Sequence, residues 1–374
     1  MCRLDAARMS APEWIELEVD LQLADKKSPL MGRRNDMAEA VLVTGGNGYV
    51  AGWCIVELLK RGYIARTTIR NLSKEPAVRN SIAAAADTRN LTFFAADLTR
   101  DDGWEAALNG CDYVLHVASP LGMNNSRNPN DLIIPAREGT LRVLRAAVAT
   151  GVKRVVMTSA ANAASPSSYA EDSVTDETLW TDPNDPTLIP YRRSKTLAEK
   201  AAWEFMKTVE GDTTLTTILP GAVFGPILSR DNLNSVQVIG KLLRGEMPGT
   251  PGIGLEVVDV RDIVDVHLRA MTAQAAAGER FLATGELMLL SDMAKALREN
   301  LGAPANKVPT RAIPDFIVRL MAIFKPELRE ITISLGRKNR HTTRKAETLL
   351  GWKPRPAHET IIDCARSLIE WKVA

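Results

Sequence analysis

The chain has 374 residues, of which 45% are hydrophobic and 25% are charged, so it can bury a sizeable core as one large domain or two unequal lobes. Its 47 basic and 45 acidic residues are spread along the sequence and leave a formal charge of only +2. This balance excludes the strongly basic surface of a nucleic-acid or anionic-membrane binding protein, and it indicates a small-molecule partner.

Three features that the sequence lacks indicate the cellular compartment of the protein: a long apolar stretch, a signal peptide and paired cysteines. No stretch approaches about 20 consecutive apolar residues, and Met1 to Asp36 has no apolar centre typical of a signal peptide. Four widely separated cysteines, Cys2, Cys54, Cys111 and Cys364, lack the paired spacing of zinc ligands. We expect reduced structural thiols, no metal site and a soluble cytoplasmic protein.

The first 37 residues differ from the rest of the chain. They contain only a weak helical pattern, from Trp14 to Leu23, and Met37 begins a segment that resembles a natural start. We expect residues 1–37 to be a poorly ordered extension.

Short strand patterns alternate with longer helical patterns from Ala38 onward. This alternation predicts an α/β fold with a doubly wound parallel sheet over residues 38–225. After residue 225 the pattern is less regular, with helices predicted at Ser291 to Leu301 and His358 to Trp371. We expect residues 226–374 to form mainly a smaller substrate lobe, with some segments returning to the sheet. The predicted strands are Val41 to Thr44, Ile64 to Ile69, Leu91 to Ala95, Tyr113 to Val117, Arg154 to Thr158 and Thr214 to Leu219.

A glycine-rich turn directly follows the first strand. It reads Thr-Gly-Gly-Asn-Gly-Tyr-Val-Ala, and the helical pattern of Tyr49 to Lys60 begins within it. Glycine lets the backbone approach a pyrophosphate, whose charge the N–H groups and dipole of a helix N-terminus stabilise. Ala51 replaces the usual third glycine and is small enough for that position. The order of strand, turn and helix predicts a Rossmann-type dinucleotide site at Thr44, Gly45, Asn47, Gly48, Tyr49 and Val50.

The end of the second strand indicates which dinucleotide binds. NAD-specific enzymes place an acidic residue there, whereas this chain has Arg70, with Lys74 close behind. An arginine can pair with a 2′-phosphate, so we predict NADP(H); the alternative is that Arg70 is a solvated surface charge. His116 lies in an apolar strand, and we expect it to pack. The same edge of the sheet predicts an adenine and ribose groove at Asp97, Leu98, Val117, Ala118 and Ser119.

Tyr191 and Lys195 form the candidate catalytic pair. Their spacing on a predicted helix places both side chains on one face. A phenol with a pKa near 10 needs a neighbouring cation to protonate an alkoxide near neutral pH. Such pairs are often only solvated, but this one follows a phosphate loop and a strand ending in Thr158 and Ser159, which favours a catalytic interpretation.

These segments together resemble the extended short-chain dehydrogenases/reductases, most closely the branch of dihydroflavonol reductases, cinnamoyl-CoA reductases and microbial aldehyde or ketone reductases. The resemblance covers roughly Ala38 to Trp371. It is carried by the glycine loop, Thr68-Ile69-Arg70, His116 to Pro120, Tyr191 to Trp203 (Tyr-Arg-Arg-Ser-Lys-Thr-Leu-Ala-Glu-Lys-Ala-Ala-Trp), Leu219-Pro220-Gly221 and Val258 to Asp262.

The resemblance implies an NADP(H)-dependent oxidoreductase that reduces a small aldehyde or ketone. It implies that Tyr191 donates the proton, and that Lys195 binds the nicotinamide ribose and lowers the pKa of the tyrosine. Pro220 and Gly221 are expected against the nicotinamide, with Val223 also among the cofactor-binding residues. Both monomers and homodimers occur among similar enzymes, so the oligomeric state stays open.

Two positions depart from the pattern of these reductases. The family usually has two serines after the fifth strand and uses the second, but here Ala160 takes that place. Ser159 is therefore our candidate third catalytic residue, with Thr158 or a water molecule as alternatives. Ser165 stands roughly where the flavonoid enzymes have a substrate-binding asparagine, so a flavonoid substrate is not supported.

Two other functions remain open at this point. A nucleotide-sugar epimerase or dehydratase shares the fold and the catalytic pair, but its NAD preference fits Arg70 poorly. A non-catalytic NADP(H) sensor fits the missing second serine, although such a sensor has no need of Tyr191 and Lys195.

Overall fold

The computed structural model describes residues 38–120, 128–231, 233–324, 328 and 331–374. The predicted N-terminal extension and Cys2 lie outside these residues. The strands are β1 (Ala40–Val43), β2 (Ile64–Ile69), β3 (Leu91–Ala95), β4 (Tyr113–His116), β5 (Arg154–Thr158), β6 (Val174–Thr175), β7 (Thr214–Pro220), β8 (Ala222–Phe224), β9 (Thr250–Pro251), β10 (Gly254–Asp259), β11 (Arg280–Ala283), β12 (Leu287–Leu289), β13 (Ala312–Ile313) and β14 (Arg340–His341). The helices are α1 (Tyr49–Lys60), α2 (Glu75–Ala83), α3 (Trp104–Leu108), α4 (Asn130–Ala149), α5 (Pro190–Lys207), α6 (Gln237–Arg244), α7 (Val260–Thr272), α8 (Leu290–Leu301), α9 (Asp315–Phe324), α10 (Arg344–Leu350) and α11 (Ala357–Glu370).

Seven strands form the central sheet, in the order β11-β7-β5-β4-β1-β2-β3, and each neighbouring pair is parallel. The chain runs outward from β1 to β3 and then returns to β4 on the other side of β1. The topological switch point therefore lies between β1 and β4, and open parallel sheets bind their ligands at the carboxyl ends of the strands beside such a point. The predicted doubly wound α/β fold is confirmed.

Helices cover both faces of this sheet. On one face α1 and α7 pack together, with Cys54, Ile55 and Ile263 in their apolar core. On the other face α4 packs along α5, and Val143 and Ala202 lie in a second core. Because both faces are covered, the central strand β1 is a continuous apolar run in which every residue is buried.

The part of the chain beyond β8 builds a further apolar core and also contributes to the sheet. In this core, α11 packs against α6, α8 and β10, with Leu242, Leu297 and Ile361 among the buried residues. β11 leaves this region and pairs with β7, from Arg280 opposite Thr217 onward. Residues 38–374 thus form one compact unit.

Several predicted boundaries are displaced by one residue. β1 ends at Val43 and α8 begins at Leu290. The described cysteines, Cys54, Cys111 and Cys364, are buried free thiols, and burial raises the pKa of each. No described helix is both long enough and apolar enough to cross a membrane.

Candidate active site

The glycine loop links the end of β1 to the N-terminus of α1. Gly45 has φ +72°, and a side chain there would lie 2.9 Å from the Cβ of Ala118. A side chain at Gly46 would overlap Thr67. Both positions therefore require glycine, because only glycine lets the turn pack this closely against Ala118 and Thr67. The first turn of α1, which begins at Tyr49 and Val50, carries no acidic side chain and directs its N–H groups toward the carboxyl edge of the sheet.

Thr44, at the start of this loop, is hydrogen-bonded to residues at the end of β4 and just after it. It is fully buried, and its hydroxyl accepts a hydrogen bond from the Ala118 N–H at 2.9 Å. The same hydroxyl lies 3.0 Å from Nδ1 of His116, to which it donates. Burial lowers the pKa of His116 to about 3, so the imidazole stays neutral and accepts this bond. Thr44 and His116 therefore connect β1 to β4 inside the protein, with their polar atoms turned toward each other.

Arg70 and Asp97 follow β2 and β3 at the same edge. Arg70 is exposed and forms no ion pair with another residue in the described part of the chain. Burial alone would raise the pKa of Asp97, but hydrogen bonds from Thr99 and the charges of Arg70 and Arg100 lower it overall. Leu98 is half-buried and Lys74 is exposed.

The remaining predicted cofactor residues line the ends of β4 and β7. Val117, Ala118 and Ser119 follow β4 and are half-buried. Pro220 ends β7, and Gly221 donates its N–H to Ala283. A side chain at Gly221 would lie 2.5 Å from the Glu256 carbonyl oxygen, so this position has no room for one. Val223 lies on β8, which pairs with β10.

The predicted catalytic pair lies in the first two turns of α5, which begins at Pro190. Burial raises the pKa of the Tyr191 phenol. Burial also lowers the pKa of Lys195 to about 8, an effect that the charge of Glu199 opposes. The Lys195 Nζ donates to the carbonyl oxygen of Thr158 at 3.3 Å, which fixes the lysine beside the end of β5.

The three residues at the end of β5 have different surroundings. Thr158 Oγ1 is 2.7 Å from Nε2 of His267 on α7. Ser159 is buried on the opposite side, and its hydroxyl donates to Glu199 at 2.5 Å. The structure thus directs the Ser159 proton into the protein, and that hydroxyl has none left for a substrate oxygen. Ala160 is buried and extended, with φ −158° and ψ 150°.

Glu199 is a central residue that the sequence did not single out. It is fully buried and accepts hydrogen bonds from Ser159, from Thr217 at 2.8 Å and from Arg280 at 2.8 Å. Its position four residues after Lys195 on α5 was the available signal, because a glutamate on a buried helix face requires partners. The pair with Arg280 supplies the countercharge.

A second buried cluster surrounds Ser165. Its hydroxyl donates to the Ala161 carbonyl oxygen at 2.7 Å and lies 3.0 Å from Nε2 of His341. His341 Nδ1 is 2.6 Å from Glu256, which also pairs with Arg337. This cluster connects residues 337–341 to the segment that follows β5. Sequence analysis missed it because its members are far apart in the sequence.

Comparison with known proteins identifies the family of this chain. The NAD dependent epimerase/dehydratase family model matches residues 41–283. Anthocyanidin reductase ((2S)-flavan-3-ol-forming) of Vitis vinifera is 32% identical over 283 residues, covering 72% of this chain and 82% of that protein. Cinnamoyl-CoA reductase CAD2 of Medicago truncatula is 32% identical over 286 residues, covering 75% and 86%.

Solved structures show the same fold. The yeast methylglyoxal/isovaleraldehyde reductase Gre2, complexed with NADPH, matches with a TM-score of 0.74 at 23% identity, over 89% of this chain and 99% of that one. Vestitone reductase from alfalfa (Medicago sativa L.) matches with a TM-score of 0.65 at 23% identity, over 90% and 99%. The resemblance inferred from the sequence is confirmed, and the chain belongs to the NAD dependent epimerase/dehydratase family, among its extended short-chain dehydrogenases/reductases.

Proposed function

We propose that this protein is an NADP(H)-dependent reductase that converts a small aldehyde or ketone to an alcohol, with Tyr191 as the proton donor. The observation that carries the proposal is the placement of Tyr191 and Lys195 on one face of α5, with the lysine fixed to the end of β5. The reductase names of the relatives support the reaction class.

The residues of the cleft fit this cofactor. Glycine at positions 45 and 46 lets the turn pack closely against Ala118 and Thr67, and the first turn of α1 that follows it carries no competing carboxylate. Arg70 is exposed and forms no ion pair within the described residues, so its guanidinium is available to a 2′-phosphate. An NAD-specific site would place a carboxylate there.

The chemistry then divides between the cofactor and the chain. NADPH, when bound, would supply the hydride for the carbonyl carbon. Tyr191 gives its proton to the carbonyl oxygen, and the raised pKa of the buried phenol keeps that proton in place until the oxygen gains charge. Lys195, whose pKa of about 8 leaves it mainly charged near neutral pH, would stabilise the tyrosinate that remains and bind the nicotinamide ribose.

Ser165 supports a compact substrate rather than a flavonoid. Its hydroxyl is 1% exposed and is engaged by Ala161 and His341, so it offers nothing to a ligand in the cleft. The relatives named for flavonoid substrates therefore provide the reaction class but not the substrate. Gre2, a methylglyoxal/isovaleraldehyde reductase, is the better guide to substrate size.

The test is a panel of carbonyl compounds with NADPH or NADH, containing short aliphatic aldehydes, 2-oxoaldehydes, ketones, a CoA thioester and a flavonoid. We expect net oxidation of NADPH with the small aldehydes or ketones and much weaker use of NADH. Binding of NADPH without its oxidation would instead indicate a sensor. Conversion of a nucleotide sugar without net cofactor consumption would indicate an epimerase.

A further inference from the structure

The polar side chains at the end of β5 form their hydrogen bonds with other residues inside the protein. His267 Nδ1 donates to the Ile263 carbonyl oxygen at 2.7 Å, so Nε2 accepts from Thr158. Burial lowers the pKa of His267 to about 4, which keeps the ring in this neutral form. The Ser159 hydroxyl donates to Glu199, and Ala160 has no polar group. These three positions therefore provide no side-chain donor for a developing alkoxide.

Asn162 is the next polar residue along the chain. It lies in the short 3₁₀ turn Ala161–Ala164, which packs against α5, the helix that carries Tyr191 and Lys195. Its backbone carbonyl accepts from Thr181 at 2.7 Å, so the turn is fixed. The residue is half-buried, and it is the one polar side chain between Ala160 and Ala164.

The side-chain amide of Asn162 is also oriented. Tyr169 donates its hydroxyl to Oδ1 at 2.9 Å, which leaves the N–H groups of Nδ2 on the other side of the amide. Within the described parts of the chain, no residue accepts a hydrogen bond from Nδ2. An oriented, half-buried donor without an internal acceptor is what an alkoxide site requires.

Tyr169 is held rigidly relative to the catalytic tyrosine. It is 3% exposed, and the guanidinium groups of Arg192 and Arg337 lie 4.8 and 4.3 Å from the centre of its ring. Arg192 directly follows Tyr191 and also donates to the Pro166 carbonyl oxygen. The contact from Asn162 through Tyr169 to Arg192 thus links the amide to the start of α5.

We propose that Asn162 is the third catalytic residue of this enzyme, and that its Nδ2 N–H takes the place of the missing serine by donating a hydrogen bond to the substrate carbonyl oxygen. The inference rests on the proposed reductase function. A hydride from NADPH forms the new C–H bond, the carbonyl π pair moves to oxygen, and Tyr191 supplies the proton that completes the alcohol. NADPH is oxidised and the carbonyl reduced, and Asn162 keeps its own proton throughout. Tyr169 acts as a positioning residue.

The experiment compares Asn162→Ala and the nearly isosteric Asn162→Asp with wild type. Both variants lack the N–H donor, so we expect kcat to fall about a hundred- to a thousand-fold, as for loss of one oxyanion-hole donor. We expect little change in the NADPH dissociation constant measured by fluorescence, or in Tm. Asn184→Ala, on an exposed turn, is the matched control and should retain wild-type kcat.

Rescue distinguishes a catalytic role from a structural one. Ala160→Ser places a hydroxyl at the usual serine position, and in the Asn162→Ala background it should recover at least tenfold in kcat. In wild type the same change should have a small effect, because a donor is already present. Tyr169→Phe should lower kcat by an intermediate factor, because it releases the amide.

Near wild-type kcat in both Asn162 variants would overturn the inference and leave the reductase function standing. A hundredfold loss in Ser159→Ala with unaffected Asn162→Ala would also overturn it, and would show that Ser159 turns toward the substrate. If wild type binds NADPH but reduces no carbonyl compound, the proposed function itself fails, and the inference fails with it.

Discussion

The nucleotide side and the catalytic side of the cleft use their polar residues differently. After β1, the N-terminus of α1 has no side-chain cap, and after β2 the side chain of Arg70 is exposed. At the end of β5, the hydroxyls of Thr158 and Ser159 point into the protein, toward His267 and Glu199. A polar residue type therefore predicts a catalytic or binding role only where its side chain is not already hydrogen-bonded inside the protein.

On the catalytic side, we expect the largest loss of kcat when Tyr191 is replaced. Tyr191→Phe removes the proton donor alone, and general acid catalysis supplies about a hundred- to ten-thousand-fold, so kcat should fall by that factor. NADPH affinity should stay nearly constant, because the phenol oxygen is the only atom lost. Steady-state kinetics and a fluorescence titration measure the two quantities. Carbonyl reduction at a near wild-type rate would exclude Tyr191 as the acid.

Glu199→Ala tests whether the buried carboxylate that accepts from Ser159 stabilises the fold. The change leaves Arg280 buried without its carboxylate, and breaking a buried ion pair costs about 3–5 kcal/mol of unfolding free energy. Urea unfolding provides the measurement. Glu204→Ala, on the exposed side of the same helix, should be nearly neutral. Equal effects of the two changes would contradict the assigned role of Glu199.

On the nucleotide side, Arg70→Ala should weaken NADPH binding by about 1.5–3 kcal/mol, because charge-assisted hydrogen bonds to the 2′-phosphate are lost. NADH binding should not change. The exposed Arg89, which pairs with Asp87, provides the control substitution Arg89→Ala. Equal wild-type affinities for NADPH and NADH would reject the assignment of Arg70.

The smallest expected effect is the pH dependence of kcat/KM and of stability that Lys195 causes. Because its pKa is about 8, the lysine loses its charge as pH rises through that value, and kcat/KM should decline above about pH 8. The same residue affects stability in the opposite direction. Its folded pKa lies below the ordinary value of 10.5, so the unfolded state binds more protons between about pH 8 and 10.5, and stability from this group rises across that window.

Lys195→Met separates these two effects. The variant should lose the stability increase between about pH 8 and 10.5 in urea unfolding, while wild type keeps it. Identical pH dependence of unfolding in the two proteins would show that Lys195 is not the group that titrates.

How much of the site the sequence predicts depends on the range of the contacts. The glycine turn and the Tyr191–Lys195 pair are local patterns, and strand order then places them at one edge of the sheet. The orientation of Ser159 is set by Glu199, 40 residues away, and by Arg280, 81 residues beyond that. No local pattern contains such a contact. Asn162 left a weak signal, as a single amide among four alanines directly after a predicted strand.

The return of β11 to the sheet also constrains how this protein is made. Arg280 supplies the charge that faces Glu199, and β11 covers the edge of β7. A nascent chain that ends near residue 225 would bury that carboxylate unpaired and expose a row of unpaired N–H and C=O groups, a ready template for aggregation. We therefore expect the nucleotide-binding half to complete its folding only after Ala283 has been synthesised, and to be unstable as a separate module.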